Sequence, residues 1–566
     1  MGRQQRHTED RIRSIQRTAR KEIAELRREG ADELEIDLSR QQLSRVGNRD
    51  FVVNGRRIVG PGVVRFNNQI LALAADSDRS VLDRLSILGA YSRHADRLDP
   101  VNLATIVLQV RNLSYEAILR NENGTASGPQ REIAVAAKKI LGDFFVPAVE
   151  RLEDFGAREL ANVLMAMTSA RMVQSGLFAR LCEVFPAKLG EANSSDIAWF
   201  VRALSRAESC EEAGRLDFGQ RNALWRLILN PLLEPGSHIS EEQLADVCIS
   251  LAECANPKPP RYPAIFHRTA VALTEMDPQE RAQPQNLAAI GNYVLACGKG
   301  RHDRRNLREG LVRAALNHPA ELSVVDLVNL CYGLARLNAP DRRAFRIIQQ
   351  QLVDRAPDRS RSFSLAASLW AFAYLGDREL FDPLWYHYKP ELSTQRFSRS
   401  EGGLVRQAAE LMRRTAELRA VTALNMEEQD GYVFQPINSA PQEQIGLALQ
   451  RLYPGVRSEV QLHGFHLDFL LEPNLAIEVD GPRYHMINGD RMSRPDGPTV
   501  VKDRILKSHD LRVMHLLLPN IGLRFDDAWL HAAVEQFRRQ PIDRRHVQLV
   551  PMPGGQREVD GDQAST

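Results

Sequence analysis

Apolar positions along the chain fall into two regimes. Between about residues 80 and 425 they recur at helical spacing, and beyond 442 short strand-length runs alternate with helices. The helical regime repeats itself. An eight-residue apolar core occupies residues 160–167 (LANVLMAM), 197–204 (IAWFVRAL), 244–251 (LADVCISL), 287–294 (LAAIGNYV), 327–334 (LVNLCYGL) and 365–372 (LAASLWAF), with a weaker copy from Leu103. From Leu160 the copies start 37, 47, 43, 40 and 38 residues apart, a period that fits a helix pair with two turns. The second position is Ala in five copies and Val in the sixth, small enough for a neighbouring helix to come close. Glu159, Asp196, Gln243, Asn286, Asp326 and Ser364 precede the copies, and Ser240 with Gln243 has capping-box spacing. The apolar stripes are therefore core.

The remaining segments frame this array. Residues 9–30 predict one mixed-charge helix, and Asn54-Gly55 between apolar runs predicts a hairpin. Between the copies lie Arg-rich second helices, for example over 342–355, and one more Arg-rich helix is expected over 398–424 after the last copy. Periodicity is lost at 425–442. Thereafter the pattern reads helix 443–455, strands 466–471 and 475–479 about the turn Pro473-Asn474, a Gly/Pro loop, helix 500–509, strand 511–518 and helix 526–538. The expected organisation is an N-terminal helix and irregular cap (1–80), an α-helical repeat domain (81–425), a linker (426–441), a small α/β domain (442–548) and a disordered tail (549–566). The fold class is mostly α: an α-solenoid followed by an α/β domain.

Composition narrows the partners. With a formal net charge of +2, a polyanion must be met by a local patch. Six cysteines without a CxxC pair read as buried thiols of the cytoplasm or another reducing compartment. No run has the length of a membrane span, and neither a secretory signal nor a transit peptide is evident; delivery into a host cell or an organelle stays open. The oligomeric state is not legible. Arg342, Arg343 and Arg346 open a second helix and suit phosphates, and the varying third residue of each copy (Asn162, Trp199, Asp246, Ala289, Asn329, Ala367) would be placed to read bases.

The acids of the C-terminal strands suggest chemistry. Asp468, Glu478 and Asp480 stand within apolar runs, where a charge is costly unless it is paired or bound to a metal. Phosphodiester hydrolysis needs carboxylates to hold Mg²⁺ or Mn²⁺, and Asp468 with Glu478 on neighbouring strands would do so. A lysine two residues after Glu478 would complete the set, but Asp480 stands there. Asp480 would then join the metal, or His485 would serve as general acid or base, with Glu443 a further ligand. Lys502, Arg504 and Lys507 would face phosphates. The alternative is that the acids pair with Arg483 or Lys502 in a domain that only binds RNA.

The stretch LHGFHLDFLLEPNLAIEVDGPRYH, with KDRILKSHDLRVMHL after it, resembles a RAP domain over roughly Gln442 to Gln536. The resemblance implies a restriction-endonuclease-like fold, similar to very-short-patch repair nucleases. The helical copies are similar to octotricopeptide repeats and to the helical region of FAST-kinase-type organellar RNA proteins. Together these imply a protein that grips single-stranded RNA in RNA processing, stability or translation. Its RAP domain would engage or cleave that RNA through Asp468, Glu478, Asp480 and His485, with Arg483 among the RNA-binding residues. Other readings are a protein-binding solenoid scaffold or a delivered bacterial effector without nuclease activity.

Overall fold

The computed structural model describes residues 52–53, 56–57 and 61–552, except residue 97 and the segments 123–125, 173–174, 209–217, 235–238, 255–258, 356–361, 395–396, 398, 423–439, 463–464, 482–485, 488–493, 519–524 and 541–546. The expected helix at 9–30 and nearly all of the expected linker lie outside these residues. The chain divides into two compact units, Met1–Thr269 and Ala270–Thr566.

In the first unit, β1 (Val52–Val53) and β2 (Arg56–Arg57) pair antiparallel, as the Asn54-Gly55 signal predicts. Helices follow: α1 (Pro61–Ala75), α2 (Val81–Ala90), α3 (Pro100–Glu122), α4 (Gly128–Val149), α5 (Ala157–Ser169), α6 (Ser175–Val184), α7 (Ser194–Glu208), α8 (Phe218–Leu233) and α9 (Glu241–Glu253). Helix α10 (Tyr262–Glu275) runs across the division. The copy-bearing helices α3, α5, α7 and α9 pack side by side in that order.

The second unit opens with α11 (Pro278–Arg281), α12 (Pro284–Gly300), α13 (Arg305–Leu316), α14 (Val324–Arg336), α15 (Arg342–Val353), α16 (Ser362–Leu375), α17 (Arg378–Leu392), α18 (Arg399–Leu411) and α19 (Thr415–Thr422). Helices α12, α14, α16 and α18 pack in one row, and α13, α15, α17 and α19 in another. The expected single helix 398–424 is two, because Arg413 takes a left-handed backbone (φ 57).

Each copy starts at the fourth residue of its helix, from Leu103 in α3 to Leu365 in α16. The residue before it is therefore N3, the position that reaches back to the N-cap. Gln243 does this for Ser240 and Asp326 for Ser323, and Asp196 exchanges hydrogen bonds with Asn193. The second-position alanines are largely buried, and between neighbouring copy helices a close approach is made at a glycine. A Cβ on Gly333 of α14 would stand 2.5 Å from the Val294 carbonyl oxygen of α12.

The α/β part comprises α20 (Ala440–Leu452), β3 (Arg457–Leu462), β4 (Phe465–Leu471), β5 (Leu475–Asp480), the short pair β6 (Met486–Ile487) and β7 (Arg494–Pro495), α21 (Gly497–Ser508), β8 (Arg512–Leu517), α22 (Asp527–Arg539) and β9 (Val547–Pro551). One sheet runs β3-β4-β5-β8-β9. The first three strands are antiparallel, and β5, β8 and β9 are parallel. A parallel pair needs a crossover, and α21 lies in the one between β5 and β8. One face (Phe469, Leu471, Leu475, Ile477, Met514, Leu516) packs on α20 and α22 through Ile445, Leu449, Leu530, Val534 and Phe537. On the other, Leu470, Ala476 and Val513 meet Leu506 of α21.

Two strands of the five-stranded sheet depart from the sequence reading. β3 is an edge strand with mostly exposed or half-buried residues and gives little apolar signal. β9 occupies residues 547–551, so the expected tail from 549 begins as the fifth strand.

Helix α21 also packs on α14, α16 and α18. Its N-cap Asp496 is buried and accepts from Thr499 N (2.9 Å) and from Arg301 Nε (2.6 Å). Asn338 Nδ2 donates to the Pro495 carbonyl (3.0 Å). Gly497 lies so close to α14 that a Cβ would stand 1.9 Å from the Ala335 carbonyl oxygen. Among the described residues no helix is long and apolar enough to cross a membrane.

Candidate functional site

Strand alternation sets the site. Residues 476, 478 and 480 of β5 share a face, and one step along the register Phe469↔Ile477 puts Asp468 of β4 opposite Glu478. Two carboxylates thus meet on the face covered by α21. The amphipathic phase of that helix supplies the third group. Lys502 precedes the buried Leu506 by one turn, and its ammonium reaches Glu478 Oε2 (2.6 Å) and the His466 carbonyl (2.6 Å).

Asp468 Oδ2 accepts from Val479 N (2.7 Å), and Oδ1 accepts from Gln442 Nε2 (2.9 Å), which also donates to Glu459 (2.8 Å). Burial pushes the Glu478 carboxyl up to about 7; Lys502 opposes that rise, and the Asp468 charge adds to it. Glu478 Oε1 is buried and has no hydrogen-bond partner among the described residues. A buried carboxylate oxygen without a donor is costly, so it marks a place where a cation would be favourable. A divalent ion bound here would take Asp468 and Glu478 as its protein ligands. Mg²⁺ is commonly held by one or two carboxylates and keeps several waters, so two side chains suffice. Among the described residues no group of three or more His, Cys, Asp or Glu side chains is placed to hold a metal.

Asp480 shares the face but has other partners. Its Oδ2 lies 2.6 Å from His515 Nδ1, and His515 Nε2 lies 3.0 Å from Asp503 Oδ1 of α21. Burial works against a charge on His515, but the hydrogen bonds to Asp480 and Asp503 outweigh it and raise its pKa to about 10. The result is a buried Asp–imidazolium–Asp bridge. It ties α21 and β8 to β5, and it departs from the expectation that Asp480 joins a metal.

The remaining candidates scatter. Arg483 and His485 lie outside the described residues. Glu443 is exposed, and its neighbour Gln442 is the α20 residue that reaches Asp468. Arg504 donates to the Tyr374 carbonyl of α16 and lies 5.7 Å from that ring's centre, so it anchors α21 to the helices. Lys507 is exposed. On α15, Arg343 and Arg346 are exposed, whereas Arg342 bridges Asp377 (2.6 Å) and Glu379 (2.8 Å). Arg342 and Glu379 are solvent-exposed, and a pair of that kind contributes only about 0–1 kcal/mol, while Asp377 is half-buried. Arg308 of α13 is different: it is buried and paired with Asp303 (2.8 Å), so it belongs to the core.

The third-position residues of the second unit do not line a base-reading surface. Ala289 and Ala367 are buried, and Asn329 donates to Asn292 Oδ1 (2.9 Å). Tyr332 and Trp370 are buried too, while Trp199 in the first unit is 41% exposed. The five described cysteines are buried.

The sequence reading missed the roles of Gln442, Asp503 and His515. It named Lys502 both as a phosphate contact and, in the alternative reading, as a partner of the strand acids, and the structure pairs it with Glu478. No family model matches the chain, and a search of curated proteins returns no match.

Proposed function

We propose that this is an RNA-binding protein whose helical repeats, arranged as an α-solenoid, hold single-stranded RNA, and whose RAP-like α/β domain acts on a phosphodiester. One observation carries the reading: Asp468 and Glu478 face each other across two strands with Lys502 on Glu478, and Glu478 keeps an unpartnered buried oxygen. This is the donor set that metal-assisted phosphodiester cleavage uses, although the lysine comes from a helix and not from the strand. Asp468 and Glu478 would hold Mg²⁺ or Mn²⁺, which when bound polarises the phosphoryl oxygen and lowers the pKa of a bound water. Lys502 favours the ionised form of Glu478, and its ammonium would offset charge that develops on the phosphate. Gln442 and Val479 N–H fix the orientation of Asp468.

A second reading, RNA binding without cleavage, is favoured by how fully Asp468 and Lys502 are already hydrogen-bonded. One experiment separates the two. Full-length protein is incubated with end-labelled single-stranded RNA and Mn²⁺, and the products are run on denaturing and native gels beside Glu478→Gln, Asp468→Asn and Lys502→Met. Cleavage by the wild type, with a loss of about 100-fold or more in each variant, is the expected result. A shifted band without cleavage in all four supports the second reading. Equal cleavage in all four removes the site, and an absence of both shift and cleavage removes the RNA reading.

A further inference from the structure

The shared register of the copies lets equivalent helix positions be compared. The tenth residue from each copy's start is Arg336 in α14 and Tyr374 in α16, and both lie where α21 docks: Gly497 abuts Arg336 and Arg504 holds Tyr374. In the first unit the same positions are Ser169 in α5 and Arg206 in α7, and there they meet a cluster of positive charge. Arg111 Nε of α3 donates to Ser169 Oγ (3.2 Å), and Arg206 approaches the same hydroxyl at 3.4 Å. Both guanidiniums also lie beside the Tyr115 ring, 4.6 and 5.8 Å from its centre. Arg202, one turn before Arg206, is exposed.

Arg111 Nη1 also donates to Asn112 Oδ1 (2.8 Å), and the positive charges of Arg206 and Arg202 act on it. Burial, then the two like charges, push its pKa down. The positive end-charge preference of a helix C-terminus accounts for Arg206 alone, because Arg111 and Arg202 are not in a last turn. Convergent guanidiniums that repel one another become favourable once an anion lies between them, and guanidinium geometry matches phosphate oxygens. The Tyr115 ring adds a surface on which a base can stack, the usual companion of phosphate contacts on single strands.

We propose that Arg111 and Arg206, which meet at Tyr115 and Ser169, form with Arg202, one turn before Arg206, a seat for a phosphodiester of single-stranded RNA. This rests on the RNA-binding reading above and assigns that function to residues the sequence pattern did not mark.

The test titrates full-length protein into fluorescein-labelled single-stranded RNA at several salt concentrations and follows anisotropy. The wild type is compared with Arg111→Gln, Arg202→Gln and, as a control on an exposed arginine of α8, Arg226→Gln. Arg202 is on the surface, so its variant keeps the fold, and thermal melts check all four. Arg111→Gln and Arg202→Gln are each expected to weaken binding about tenfold. Each should also flatten the slope of log affinity against log salt by about 0.7 for the lost phosphate contact, while Arg226→Gln matches the wild type. Wild-type binding with unchanged affinity and slope in both cluster variants overturns the seat and leaves the RNA reading standing. Displacement of the labelled RNA by a phosphopeptide but not by unlabelled RNA overturns it in favour of a protein ligand. An absence of RNA binding by the wild type removes the RNA reading and the seat together.

Discussion

At the residue scale, the two acids that alternate along β5 have opposite fates although they share a face. Glu478 meets one cation and keeps a free oxygen; Asp480 is spent on His515. The difference has a measurable consequence. The His515 pKa rises from 6.5 to about 10 on folding, because hydrogen bonds to Asp480 and Asp503 outweigh burial. The folded state therefore holds a proton that the unfolded chain loses. The stability this contributes is complete below about pH 6.5 and is lost as pH rises toward 10. His515→Gln leaves two buried carboxylates without their cation and should cost about 3–5 kcal/mol near neutral pH in denaturant melts. The gap between wild type and variant should narrow between pH 7 and pH 9, and a gap that stays constant would contradict the charged bridge.

At the element scale, α21 connects the sheet to the helices of its unit. Its two sides divide the work: Lys502, Asp503 and Leu506 face the sheet, while Asp496, Gly497 and Arg504 face the helices. Gly497→Ala would drive a methyl into the Ala335 carbonyl, and the helix must shift to admit it. A loss of about 1–3 kcal/mol is expected, with faster hydrogen exchange in α21. Gly403→Ala on α18 meets open space and should instead be neutral or stabilise by up to about 1 kcal/mol. A Gly497→Ala protein as stable as the wild type would show that this docking contact is dispensable.

How much was legible also becomes clear at this scale. The copy helices were readable because each carries a mostly apolar eight-residue core at a repeating interval, and their N3 residues marked where each begins. β4, β5 and β8 were readable as apolar runs of strand length. β3 was not, because an edge strand has little apolar signal, and β9 was hidden in a polar C-terminal segment. The site was half legible. Asp468 and Glu478 stood out as acids in apolar strands, but pattern alone could not tell which acid would find which cation. Lys502 was within reach, since its spacing from Leu506 places it on the sheet side of α21. Asp503 and His515 gave no such signal, because each is a lone polar residue whose partner lies on a distant segment.

At the scale of the whole molecule, a net charge of +2 over 566 residues means that any hold on a polyanion must come from local clusters. Arg343 and Arg346 in one unit, and Arg111, Arg202 and Arg206 in the other, are such clusters, whereas Arg308 is spent in the core. Binding through such contacts releases counterions, so affinity should fall steeply with salt. The most direct test of the central claim is equilibrium titration of labelled single-stranded RNA with full-length protein at two salt concentrations, with DNA of the same sequence alongside. The account predicts tight binding of the RNA at low salt that weakens by about tenfold or more when salt is raised fourfold, as three or more phosphate contacts require. RNA affinity that is absent at both concentrations, or unchanged between them, would contradict it.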